Sequence, residues 1–219
     1  MIFSLLAPVL LHLANGLPVT TARVEGAPVV AVQAWVNAGA ADEDPRQAGV
    51  AHLLEHLVFR PSEPGGSPLA RAVERAGGDV NAWTSLDQTV FHAVMPASEF
   101  AGGLAALGEA VLRPQTDPDA LDRERRVVLD EQVATGAAPS RQLLHEVFAG
   151  AYLLHGYRRP VIGSGASVRA LRSADVDAFH SRYYLARNMH LVVVGDVEPA
   201  QAAALHRDLR DRWPRGGGA

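Results

Sequence analysis

Two histidines and a glutamate share one short stretch, "AHLLEHLVFR" at residues 51–60, inside a run otherwise rich in leucine. An α-helix turns about 100° per residue, so His52 and His56 lie one turn apart on the same face, with Glu55 in the same arc beside His56. Two neutral imidazoles at that spacing can bind one divalent zinc ion, and a neighbouring carboxylate can take a proton from a water the metal activates. The competing reading is a pair of half-exposed histidines on an amphipathic helix. A catalytic zinc site also needs a third protein ligand and an open position. The segment 118–134 contains "ERRVVLDE", in which Glu124 and Glu131 are seven residues apart, hence two turns apart and nearly eclipsed. Taken alone it reads as a solvated charged face, because Asp122, Arg123, Arg125, Arg126 and Asp130 surround the two acids. Only in conjunction with the first helix does the shared face become available to a metal.

Elements must hold these residues in place, and the composition permits them. The chain has 219 residues, of which 48% are apolar, enough for a packed core. The net charge of −4 is mild and the 20 basic residues, all arginine, are scattered, so no nucleic-acid or polybasic membrane surface is expected. Absence of cysteine excludes disulfides, thiolate metal sites and a cysteine nucleophile. The apolar opening, Ile2 to Leu13, imitates the middle of a signal peptide but has no positive segment before it and no clear cleavage site, and it is too short to span a bilayer. It is read as a strand, Val9 to Ala14, turned tightly by Asn15-Gly16 into a second strand, Val19 to Val24. No membrane contact and a cytoplasmic location are the corresponding expectations.

Further along, a strand is expected over Pro28 to Gly39, then an acidic loop, "ADEDPRQ", whose role is solvation, then a helix over Gln47 to Phe59. The turn-rich "SEPGGSP" leads into a helix over Leu69 to Arg75, and "DVNAWTS" and "TVFHAVMP" read as two strands. Helices follow over Glu99 to Leu112, Pro118 to Ala134 and Ser140 to Ala151, a loop over Leu153 to Ser167, and a helix over Ser173 to Tyr184. A strand at His190 to Val197, a helix from Pro199 to about Arg212 and a Gly-rich tail complete the chain. Hairpins mixed with helical stretches argue for an α+β fold in which helices cover a mostly antiparallel sheet. The expected organisation is one domain over 1–213 and a tail or linker start over 214–219.

The order His-x-x-Glu-His reverses the commoner His-Glu-x-x-His and is associated with inverted-motif zinc peptidases. With Glu131 following His56 by 75 residues and Glu124 seven residues earlier, the sequence resembles the insulinase/pitrilysin-type zinc peptidases, which include the mitochondrial processing peptidases. "HLANGLPV", "GVAHLLEHLVF", "GGDVNAWTSLDQTVFH", "RPVIGSGASVRAL" and "VVVGDVEP" are similar, in order, to successive parts of that family's first domain. The resemblance implies that His52, His56 and Glu131 are zinc ligands, Glu55 the general base and Glu124 a carboxylate orienting a ligand. It further implies that the strand bearing Asn81, Ala82 and Thr84 pairs with an extended peptide by β-augmentation; unaided, that strand reads as an ordinary one.

His92, His145, His155 and His180 have no comparable claim to a role in the chemistry. At Phe59-Arg60-Pro61-Ser62 the sequence departs from the family's Phe-Lys-Gly-Thr-like run. Family members usually contain two such domains, so the resemblance also implies a homologous partner domain or subunit opposite the metal, supplying an Arg and a Tyr. The function implied is zinc-dependent endopeptidase hydrolysis; the alternative is a non-catalytic peptide-binding or scaffold subunit of a processing-peptidase-like complex.

Overall fold

Strict alternation of burial makes the centre of the sheet. In β3 (Val29–Val36), Val30, Val32, Ala34 and Val36 are buried while Ala31, Gln33 and Trp35 are half-buried on the opposite face, as a strand covered on one side requires. The same pattern recurs in β6 (Met189–Gly195) and, from Phe91 onward, in β5 (Thr89–Pro96), whose first three residues are all buried. With β1 (Val9–His12), β2 (Pro18–Arg23) and β4 (Asp79–Thr84) these form one six-stranded sheet in the order β1-β2-β6-β3-β5-β4. Every neighbouring pair is antiparallel except β2 and β6, which run parallel. This computed structural model describes residues 7–59, 67–136, 138–197 and 201.

The buried side of the sheet packs on helices. The helices are α1 (Val50–Phe59), α2 (Pro68–Arg75), α3 (Phe100–Leu112), α4 (Pro118–Gly136), α5 (Pro139–Ala151), α6 (Gly165–Ala170) and α7 (Ser173–Tyr183), of which α5 buries no residue and rests on α4 and the turn at Gly156–Arg158 rather than on the sheet. Leu53, Leu54 and Leu57 of α1, Leu107 of α3 and Val176 of α7 join Val32, Phe91 and Leu191 of the sheet in one core. The expected α+β architecture is therefore present. Among the described residues no helix is long and apolar enough to cross a membrane.

Several local expectations are corrected. The tight turn at Asn15-Gly16 is present, with Gly16 at a φ of 90°, but it is one residue longer than a two-residue turn: the Leu13 N–H donates to the Leu17 carbonyl and the Gly16 N–H to the Leu13 carbonyl, both at 2.9 Å, so residues 14–16 make the connection and the strand ends earlier, at His12. Leu13 and Leu17, on either side of it, are buried, and Asn15 Oδ1 accepts the Leu17 N–H. The helix carrying His52 and His56 begins at Val50 rather than Gln47, because Gly49 takes a positive φ of 97° that ends the preceding 3-10 turn over Pro45–Gln47. The stretch expected as loop over 153–167 contains a 3-10 turn at Gly156–Arg158 and the start of α6, which Ser164 caps by accepting the Ser167 N–H. Nor is the acidic loop merely solvating, since Glu43 is buried. The expected helix from Pro199 except Gln201, the tail over 214–219, most of the "SEPGGSP" break, the Arg60–Ser62 departure and the first six residues lie outside the described residues.

Candidate metal centre

Helix α1 divides its residues by face. Leu53, Leu54, Leu57 and Val58 go into the core, which turns His52, Glu55 and His56 toward a cleft between α1, α4 and β4. On α4, Leu121 and Val128 pack inward and carry Glu124 with them, so that it is only 2% exposed; Glu131, two turns later, is half-exposed at the cleft. The charged neighbours Asp122, Arg123, Arg126 and Asp130 face solvent. The solvated-face reading thus holds for them and fails for the two glutamates.

One ligand atom each from His52, His56 and Glu131 lies within 4.8 Å of the others. Glu131 Oε2 is 3.6 Å from His52 Nε2 and 3.5 Å from His56 Nε2. These separations exceed hydrogen-bond length, about 2.7–3.2 Å. They match donors sharing one ion, since two ligands about 2.0–2.2 Å from a tetrahedral zinc sit roughly 3.3–3.5 Å apart. Two imidazoles and one carboxylate form a three-protein-ligand set that zinc accepts, so the residues present fit the metal. Glu124 stands behind this group, its Oε2 3.6 Å from His56 Nδ1, where a carboxylate orients a ligating imidazole.

The local electrostatics follow from burial and crowding. Burial opposes a charge on His56, but the adjoining Glu124 and Glu131 carboxylates, helped by Glu55, outweigh it and push the metal-free imidazole up to about 9. His52, buried and next to that cation, is pushed down to about 4. Glu131 is held below the usual carboxylate range, chiefly by the facing His56. Burial raises Glu55, against a hydrogen bond in which Thr84 Oγ1 donates to Glu55 Oε2 at 2.6 Å.

The cleft has a volume of about 790 Å³. Besides the site residues, Ala82 and Thr84 of β4, Arg141 and Phe148 of α5 and Tyr157 line it. Strand β4 is the sheet's edge and pairs only with β5 among the described strands, as peptide addition requires. Its residues divide: Ala82 and Thr84 reach the cleft, whereas Asn81 is exposed and its Oδ1 accepts the Ala82 N–H at 2.8 Å.

Thr84, which the resemblance associates with substrate, also anchors Glu55. The remaining histidines are placed as expected: His180 Nε2 bonds the Val111 carbonyl, His155 caps the 3-10 turn at Tyr157, and His92 packs against Trp83. His145 lines the cleft without joining the metal cluster. Sequence reasoning missed Glu43, Arg141 and Tyr157; an acid buried in an apparently hydrophilic loop leaves no periodic signal.

The family model described as "Insulinase (Peptidase family M16)" matches residues 19–165, and the one described as "Peptidase M16 inactive domain" matches residues 170–218. The β subunit of the mitochondrial-processing peptidase of Blastocladiella emersonii is 30% identical over 208 residues, covering 94% of this chain and 45% of that protein. An uncharacterized zinc protease of Mycobacterium tuberculosis is 33% identical over 205 residues, covering 93% of this chain and 47% of that protein. Among solved structures, a protease from Helicobacter pylori superimposes with a TM-score of 0.88 at 27% identity, over 97% of this chain and 52% of the other. The first half of the periplasmic protease PqqL from Escherichia coli gives 0.82 at 26% identity, over 97% of this chain and 47% of that one. The chain spans about half the length of the relatives it matches.

Proposed function

The chain belongs to the insulinase family of zinc peptidases, peptidase family M16, and from that premise we propose that it is the metal-bearing part of an endopeptidase. In this reading it hydrolyses peptides or small polypeptides bound in extended conformation, and a second homologous domain or subunit closes the site. The observation that carries the reading is the convergence of His52, His56 and Glu131 within 4.8 Å, with Glu55 on the same helix face.

His52, His56 and Glu131 would hold the zinc, and Glu124 would keep the His56 ring in its ligating orientation. When bound, zinc supplies Lewis acidity, polarising a carbonyl and bringing the pKa of water toward neutrality. Glu55 takes the proton of the attacking water. Thr84 holds its Oε2, which leaves Oε1 to receive that proton and pass it to the leaving amine. Strand β4 offers its open edge to the extended peptide, so main-chain bonds hold the substrate and the cleft residues choose among side chains.

The second reading, a non-catalytic peptide-binding or scaffold subunit, draws on the match of residues 170–218 to a domain described as inactive. That stretch contributes α7 and β6 but none of the ligands or the base, and the completeness of the donor set favours the hydrolase. The test is metal content with peptide cleavage in the presence of a homologous partner. Glu55→Gln should keep about one zinc and lose cleavage by about a hundredfold or more; His52→Ala should lose both. Cleavage at the unaltered rate by Glu55→Gln would remove Glu55 from its role, and a chain that takes up no zinc would favour the scaffold.

A further inference from the structure

Two of the N–H groups that open α1, those of Gly49 and Ala51, are satisfied from outside the helix. At a helix N-terminus these groups lack intrahelical partners, and a side-chain oxygen at the N-cap ordinarily accepts one. Gly49 holds that position, and its carbonyl accepts the Leu53 N–H at 3.0 Å. It has no side chain to offer, and none could be added. Its φ is +97°, and a Cβ would come within 2.9 Å of Val168 Cγ2 and 3.0 Å of the Ile162 carbonyl.

The acceptor is Glu43, from the preceding loop. Its Oε2 accepts the Gly49 N–H and its Oε1 the Ala51 N–H, both at 2.9 Å. Glu43 is only 4% exposed, a place where a carboxyl persists only with partners. Its own segment is fixed in turn. The Ala40 N–H donates to the Ser85 carbonyl at 3.0 Å and the Ala41 N–H to the Leu86 carbonyl at 2.7 Å. Arg159 Nη2, from the cleft wall, donates to the Glu43 carbonyl at 2.8 Å. Ser85 directly follows Thr84, the residue that holds Glu55.

We propose that Glu43 is a positioning residue of the metal centre: by gripping the Gly49 and Ala51 amides, immediately before His52, it fixes the rotation and axial position of α1, and so where His52 and His56 meet Glu131. The leucines of α1 anchor the helix to the core, but apolar contact is non-directional and tolerates sliding. Metal ligands tolerate little, about 0.2 Å in distance. Two directional hydrogen bonds to a braced loop supply what packing lacks. The inference rests on the reading of His52, His56 and Glu131 as zinc ligands.

The test is zinc affinity of the purified 219-residue chain, by competition with a chromophoric chelator, together with the visible spectrum of bound cobalt(II) and the melting temperature of the metal-free protein. Glu43→Gln keeps the size of the side chain but sets an NH2 against a backbone N–H. It should bind zinc at least about tenfold more weakly and shift the cobalt bands. The core variant Leu104→Ala, in α3 away from the site, should lower the melting temperature yet keep the unaltered affinity and spectrum. Unaltered zinc affinity and cobalt bands in Glu43→Gln overturn the proposal, and so does equal weakening in Leu104→Ala, which would mark a general loss of stability.

Arg159→Met, which releases the Glu43 segment but leaves the carboxylate, should also weaken zinc. If Glu43→Gln does not fold, normal affinity in Arg159→Met overturns the proposal. No zinc bound by the unaltered chain would sink the metal centre itself, whereas equal binding by the unaltered chain and Glu43→Gln would sink this inference alone.

Discussion

Glu55 and Glu124 show how one residue type meets two different surroundings. Glu55 faces the cleft, where burial raises its affinity for a proton while Thr84 Oγ1 holds one oxygen at 2.6 Å. Removing that donor with the near-isosteric Thr84→Val should leave zinc content unchanged and lower kcat about tenfold or more, the weight of one hydrogen bond to a charged group; metal analysis beside steady-state kinetics, with the partner present, checks it. Glu124 instead lies behind the imidazole of His56, 3.6 Å from its Nδ1. Its change to Gln should weaken zinc about 10–100-fold, as measured by chelator competition, because the His56 ring loses its anionic partner. Of these residues, His52, Glu55 and His56 were readable as a chemical group from spacing alone. Thr84 as the partner of Glu55 was not, since 29 residues separate the two and no local pattern joins a helix to a later strand.

At the scale of elements, the strands and helices follow the periodicity of the sequence, and their junctions do not. Helix α4 was legible as a helix, yet its charged face divides into a solvent side and a buried Glu124 only because Leu121 and Val128 dock against the core. Helix α7 is joined to α3 by His180, whose Nε2 meets the Val111 carbonyl at 2.9 Å. Burial lowers the His180 pKa in the folded chain. The folded state therefore disfavours the imidazolium, so this group's contribution is present above the unfolded value of 6.5 and is lost as pH falls through 6.5 toward the lower folded value. Urea unfolding of the metal-free chain should show His180→Gln less sensitive to acidification over that window than the unaltered protein; equal sensitivity would discount His180. Strand β4 was readable as a strand, but its place at the sheet edge, open to an added peptide, came from the pairing order.

For the whole molecule, the cleft of about 790 Å³ is lined by a single sheet edge and helices α1, α4 and α5, and the chain corresponds to about half of its relatives' length. Mixing the zinc-loaded chain with a homologous second half should raise kcat/KM for an extended peptide while zinc stoichiometry stays constant. Equal cleavage with and without the second half would show that this part suffices. By itself the sequence determined the strands, the helices other than α6 among those described, and the grouping of His52, Glu55 and His56, because these depend on periods of two and about 3.6 residues that a short window contains. The resemblance to a peptidase family pointed to Glu131. Only the tertiary structure decided that Glu131 meets both imidazoles, that Glu124 is buried behind His56, and that Glu43 leaves solvent to cap α1. Those outcomes depend on which faces must be buried together, a condition imposed by the packed core on residues far apart in the chain.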